Sequence, residues 1–208
     1  MEGWGGANRV NVLHLYAGNL YGGVERLLVT LARLRHLAPD MTPAFGLCFR
    51  GRLWDELTAA GVPVHDLGAV RFSRPWTVLA ARRRLKPLLP GVDAVVCHAN
   101  WPHAVFAPTV KRAGVRLVTW AHDALHPGGW VNRWAARTRP DGVIANSRFT
   151  AGTVPTVFPG VPVAVVYLPV EPPPAADPAA RAAVRAELDT PADATVILQA
   201  SRLERWKG

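Results

Sequence analysis

The chain has 208 residues, half of them hydrophobic and 19% charged, with 24 Lys plus Arg against 15 Asp plus Glu and a net charge of +9. That much apolar side chain excludes disorder, a collagen-like repeat and a coiled coil, and the length suits one full α/β domain with a remainder. Cys48 and Cys97 lie far apart in apolar runs. This excludes a disulfide framework or zinc-ligand spacing and predicts buried, reduced thiols in a cytosolic protein. The opening MEGWGGANRV has no basic start followed by an apolar stretch, so no signal peptide is expected. The longest uncharged run, Phe149 to Val170, is broken by Pro155, Pro159, Pro162, Pro169, Gly152 and Gly160 and is not a transmembrane helix.

In chain order, short β-rich runs alternate with amphipathic segments, the pattern of a parallel sheet with crossover helices. Val10 to Leu15 reads as a first buried strand, ending in the turn AGNLYGG. From Val24 the apolar residues Val24, Leu27, Leu28, Leu31 and Leu34 share one helical face, with Glu25, Arg26 and Arg33 off it. Further strands are predicted at 43–49, 62–67, 93–98, 115–120, 142–145 and 163–168, and further helices at 51–60, 75–89, 102–113, 129–138 and 147–154. Right-handed crossovers of these units build an α/β fold, a Rossmann-like doubly wound parallel sheet whose functional crevice lies at the carboxyl ends of its strands.

Residues 1–170 make this domain. The stretch LPVEPPPAADPAA from Leu168 holds five prolines and reads as an extended linker. In 171–208 it is followed by a helix at 179–188, a strand at Thr195–Ala200 and SRLERWKG.

Gly22 and Gly23 stand between the first strand and its helix, where glycines let a ligand approach the backbone and where helix amides favour a phosphate. A tight turn requiring positive φ explains them equally. The pattern is not GxGxxG and no acidic residue ends the second strand, which argues against a nicotinamide dehydrogenase.

His98 ends one predicted strand and His122 with Asp123 ends the next, at the rim where a histidine reaches a sugar hydroxyl or a phosphate; a structural histidine is the alternative. No third ligand stands at short spacing, so no metal is expected. His14, His36, His65, His103 and His126 carry no comparable signal. Asn146, Ser147 and Arg148 follow a strand and open a helix; Asn or Ser suits the N-cap, and Arg148 opposes the helix dipole unless an anion is near. Arg202 and Lys207, just after the last strand, suit a diphosphate, although a basic loop is more often a solvated surface. Trp101 and Trp120 flank strand ends, where they serve packing or stack on a sugar, and Trp54, Trp130 and Trp134 read as packing residues.

Residues 1–170 carry 19 basic and 9 acidic side chains, and between Asp66 and Asp93 stand Arg71, Arg74, Arg82, Arg83, Arg84 and Lys86 with no acid. As a helix, the 71–89 segment places Val78, Leu79, Leu85 and Leu89 broadly together with Arg82, Arg83 and Lys86 beside them. This is either a sheet-covering helix with a solvated basic side or an interfacial helix on an anionic membrane surface.

In sequence, VNVLHLYAGNLYGGVERLLVTLA, DAVVCHAN, VTWAHD, GVIANSRFT and ILQASRLERWKG resemble the landmarks of glycosyltransferase family 4, the retaining nucleotide-sugar transferases of GT-B fold. The resemblance implies that Gly22 and Gly23 lie against the diphosphate of a nucleotide-sugar and that His122, as catalytic residue, reaches the transferred sugar. It also implies that Arg202 and Lys207 neutralise the leaving diphosphate in place of a metal, so that no cofactor is expected. His98, Asp123, Asn146, Ser147 and Arg148 are then cleft-lining. The family's second domain, with its nucleotide pocket and paired glutamates, has only its beginning here. The chain is accordingly expected to be the acceptor-side half of a transferase acting on an unknown acceptor hydroxyl, cytoplasmic or peripheral on the inner membrane face, and inactive alone. A non-catalytic Rossmann-like binding or adaptor domain is the alternative. Nucleic acid is not an expected partner, since the positive charge comes with no aromatic-basic RNA motif and no helix-turn-helix signal.

Overall fold

A computed structural model describes residues 9–170 and 175–199. Seven strands, β1 (Val10–Tyr16), β2 (Met41–Leu47), β3 (Val64–Asp66), β4 (Ala94–His98), β5 (Arg116–Ala121), β6 (Gly142–Ala145) and β7 (Val163–Val165), form one sheet of order β3-β2-β1-β4-β5-β6-β7. All neighbouring pairs are parallel. The helices α1 (Gly23–Arg33), α2 (Arg52–Ala59), α3 (Pro75–Leu85), α4 (Asn100–Arg112), α5 (Trp130–Ala135) and α6 (Arg148–Thr153) make the crossovers. The order reverses between β1 and β4, the switch point at which doubly wound sheets bind ligands. Among the described residues no helix is long and apolar enough to cross a membrane.

Alternation along the strands divides the core. Leu13, Leu15, Val95, Cys97 and Leu117 turn to the face covered by α3 and α4, where Val78, Leu85, Val105, Phe106 and Val110 meet them. Phe45 and Leu47 meet Leu28 and Ala32 of α1 and Leu53 and Leu57 of α2 on the other face. Both cysteines are buried and unpaired; burial, with a smaller contribution from Asp66, pushes the Cys48 thiol up to about 12 and burial alone raises Cys97.

The sequence reading needs correction at three places. Glu25, placed off the buried face of α1, is itself buried at 2% exposure, because its carboxylate turns back to the helix start. Leu79 does not join Val78, Leu85 and Leu89; those three are buried while Leu79 is 53% exposed, since only the 78, 81, 85 spacing faces α4. Residues 195–199 of the expected last strand are not a strand, and Ile197 is 93% exposed. A strand needs a hydrogen-bonding neighbour, and among the described residues this segment has none; Ala200 lies outside them.

The described residues 175–199 belong to a second unit. In it α7 (Pro178–Glu187) starts on Asp177, whose carboxylate accepts from the Ala179 amide at 2.9 Å with Pro178 at the first helical position. Arg185 donates to the Pro191 carbonyl and to that of Ala194, closing the turn that follows.

Candidate functional site

At the carboxyl edge of the central strands several buried polar atoms have no partner among the described residues: His14 Nε2, Glu25 Oε1, Asn100 Oδ1, Trp120 Nε1 and His122 Nδ1. They belong to β1, β5 and its last residues, and the first turns of α1 and α4. Buried polar atoms in folded proteins are nearly always paired, so a gathering of unpaired ones marks a place for a ligand.

Gly22 caps α1 with φ −165°, extended backbone open to any residue, and Gly23 is already helical. Neither has positive φ, so the tight-turn explanation fails. Packing does not require them either: a Cβ at Gly23 would meet nothing within 4 Å, and one at Gly22 only Glu25 Oε2 at 3.6 Å. The Gly22 amide is not free, because it donates to Glu25 Oε2 at 2.8 Å. The amides of Gly23 and Val24, at the positive end of an eleven-residue helix, have no acceptor among the described residues. What the loop presents is therefore an unencumbered first helical turn. Its approach is shaped by Gly18, whose φ of +83° and near contact of an added Cβ with the Phe49 carbonyl at 3.0 Å hold the chain in a sharp bend after β1.

His122 is 9% exposed, just beyond β5, and burial lowers its pKa to about 4. Its ring lies parallel to that of His98, with centroids 5.4 Å apart, and Trp120 stacks on both. His98 is fully buried, so it does not line an open edge; its nitrogens are occupied by His122 at 3.1 Å and by His14 at 2.9 Å. Trp120 is likewise a packing residue at 6% exposure. Asp123 is exposed beside His122.

Asn146 and Ser147 are held structurally. Asn146 donates to the His122 carbonyl at 2.6 Å and accepts from Thr150 at 2.8 Å, and Ser147 caps α6 by accepting from the Thr150 amide at 3.1 Å. Asn146 thus ties the end of β6 to the end of β5. Arg148 is exposed. Arg202 and Lys207 lie outside the described residues. Ala99, between β4 and α4, has φ +84° and ψ 167°, a strained backbone of the kind stored at functional sites.

Two residues of this edge were missed by sequence reasoning. Glu25 carries a local signal: an acid three residues into a helix can reach back to the cap amide. His14 has none, because its role depends on the register that sets β1 against β4. Among the described residues no three His, Cys, Asp or Glu side chains converge as a metal site; the three imidazoles bond to one another in a row instead.

The model of the family described as Glycosyltransferase Family 4 matches residues 21–173. No curated protein matches the sequence. Among solved structures, a glycosyltransferase from Rickettsia africae superposes with a TM-score of 0.77 at 19% identity over 97% of this chain and 55% of that one. Anabaena HepE, crystallised in complex with UDP and glucose, gives 0.67 at 19% identity over 86% and 50%. Acinetobacter baumannii MurG gives 0.57 at 15% identity over 79% and 47%. The chain thus spans about half the length of the structures it matches.

Proposed function

Because the chain belongs to glycosyltransferase family 4, we propose that it is the acceptor-side half of an enzyme that moves a sugar from a nucleotide-sugar to an acceptor hydroxyl with retention at the anomeric carbon. The observation that carries this is the Gly22–Gly23 start of α1. Its glycines are required neither by positive φ nor by packing, and its open amides point to a phosphate-bearing ligand. His122, ending the strand two places along the sheet, then faces the transferred sugar. Arg202 and Lys207 would neutralise the diphosphate leaving group without a metal. We propose further that turnover needs the other half of the molecule, so the 208-residue chain alone does not transfer sugar.

Titration of the isotope-labelled chain with UDP-glucose tests the reading. Amide shifts at Gly23 and Val24 together with side-chain shifts at His122 are expected, with no sugar transfer by the chain alone. Shifts confined to other surfaces, or sugar transfer by the isolated chain, would overturn it.

An anionic membrane surface is the partner we propose for α3. Trp76 and Leu79, 63% and 53% exposed, share one ridge of that helix with exposed Arg83 and, just past its end, exposed Lys86. A groove of about 400 Å³ beside them is lined by Leu79, Arg82, Arg83, Lys86 and Arg112 with no acid. Cations near an anionic bilayer contribute about 1 kcal/mol each, and the exposed tryptophan suits the interfacial layer. We propose the cytoplasmic face of a membrane, where anionic lipid is presented, as its location. Flotation with vesicles containing anionic lipid is expected to carry the protein upward, and equal flotation with neutral vesicles would count against the idea.

A further inference from the structure

β1, β4 and β5 are adjacent strands; β1 and β4 each supply one histidine to a single buried row, and the residue just past β5 supplies a third. His14 Nδ1 lies 2.9 Å from His98 Nε2, and His98 Nδ1 lies 3.1 Å from His122 Nε2. Phe45 stacks on His14 at 5.2 Å and Trp120 on His98 at 5.3 Å, closing the row within the sheet face. Burial holds His14 and His122 down to about 4 and His98 well below its ordinary value, with the neighbouring imidazoles adding to the effect on His98. At neutral pH every ring therefore carries one proton.

A neutral imidazole has one N–H and one lone pair. Each nitrogen-to-nitrogen contact needs one of each, so the row has a single polarity: all three rings are protonated on Nδ1, or all three on Nε2. Any mixture sets two N–H groups or two lone pairs against each other. The two polarities differ only in which end carries the unpartnered N–H, since His14 Nε2 and His122 Nδ1 both lack partners among the described residues. In the Nε2 polarity that N–H lies on His14, in a strand interior under Phe45. In the Nδ1 polarity it lies on His122, past the end of β5 and next to exposed Asp123. A buried N–H needs an acceptor, and both end nitrogens are buried; only His122, past the end of β5 beside exposed Asp123, stands where water or a carboxylate can come to it, whereas His14 lies under Phe45, which favours the second arrangement.

We propose that His14 and His98 are positioning residues that lock His122 in its Nδ1–H tautomer, so that it offers an N–H, and not a lone pair, to a hydroxyl oxygen of the bound sugar. The second clause rests on the reading of His122 as sugar-facing; the lock itself does not.

Histidine side-chain ¹H–¹⁵N correlation spectra of the uniformly labelled chain at neutral pH test the lock without any ligand. A pyrrole-type Nδ1 and a pyridine-type Nε2 are expected for His14, His98 and His122 alike, and any one of the three protonated on Nε2 overturns the proposal. In His98→Asn the amide nitrogen replaces the donor at Nδ1, and His122 should keep its tautomer. In His98→Leu it should lose the preference and move toward Nε2–H, and an unchanged His122 would overturn the role given to His98. The wild-type spectrum decides the matter even if His98→Leu fails to fold. UDP-glucose separates the two readings. A uniform row in which UDP-glucose shifts the Gly23 and Val24 amides but leaves His122 unshifted defeats the sugar-facing role alone, whereas a UDP-glucose shift at His122 in a row of mixed tautomers defeats the lock alone.

Discussion

The Gly22 amide donates to Glu25 Oε2 over 2.8 Å, which folds the carboxylate of the third residue of α1 back onto the turn that starts the helix. The charge sits where the helix dipole favours an anion, and the bond satisfies one of the amides that no helical turn can reach. Its second oxygen is buried without a partner, so the residue is kept at some cost. Glu25→Ala is expected to lower stability by about 1–2 kcal/mol, and Glu25→Gln, which keeps an acceptor for the Gly22 amide, by less. Urea unfolding of the two variants checks the order.

Gly23→Ala separates folding from binding. Because an added Cβ meets nothing within 4 Å and the position is helical, stability is expected to hold or rise by up to about 1 kcal/mol. The methyl group enters the space in which a phosphate would approach the Gly23 and Val24 amides, so affinity for a nucleotide-sugar should fall about tenfold, or about 1.4 kcal/mol. Thermal unfolding beside a UDP-glucose titration gives both numbers. Equal affinity in the variant would remove the glycine turn from the site.

The buried histidines predict an acid-sensitive fold. His14, His103 and His122 are held at about 4 against an ordinary value of 6.5, chiefly by burial, and His98 is held well below its ordinary value by burial and its two neighbouring imidazoles. Between pH 6.5 and 4 the unfolded chain binds protons at these positions that the native chain refuses. Stability is therefore full above pH 6.5, is lost as the pH falls toward 4, and each proton contributes a slope of roughly 1.4 kcal/mol per pH unit. Urea midpoints from pH 8 to 4.5 should be flat and then fall. Midpoints unchanged down to pH 4.5 would mean that these rings take protons in the folded state.

The alternation of short apolar runs with amphipathic segments was enough to read the parallel sheet, because both periods are local. Strand ends were legible for the same reason, so His122 could be placed at the rim. His14 could not: its partner is 84 residues away, and the contact depends on the register that pairs His14 with Val96, which no local pattern carries. The same register turned His98 from a rim residue into a buried link. Thr195 to Gln199 shows the opposite error, since a β-rich run predicts a strand only where a neighbouring strand supplies hydrogen bonds.

Ala99 joins the buried His98 to the first turn of α4 with φ +84° and ψ 167°, a region that glycine enters freely and other residues enter at a cost of about 1–3 kcal/mol. Its amide donates to the Trp120 carbonyl at 2.9 Å, and that bond continues the β4 to β5 pairing past the strand end, holding the residue in place. Relief of the strain should exceed the added chain entropy of glycine, about 0.5–1 kcal/mol, so Ala99→Gly is expected to stabilise the fold by about 1 kcal/mol. Ala99→Val, whose branched Cβ makes positive φ harder to reach, should destabilise by about 2 kcal/mol or more. Urea unfolding of the pair checks both signs, and a destabilised Ala99→Gly would show that the Ala99 methyl group contributes more through packing than its backbone costs in strain.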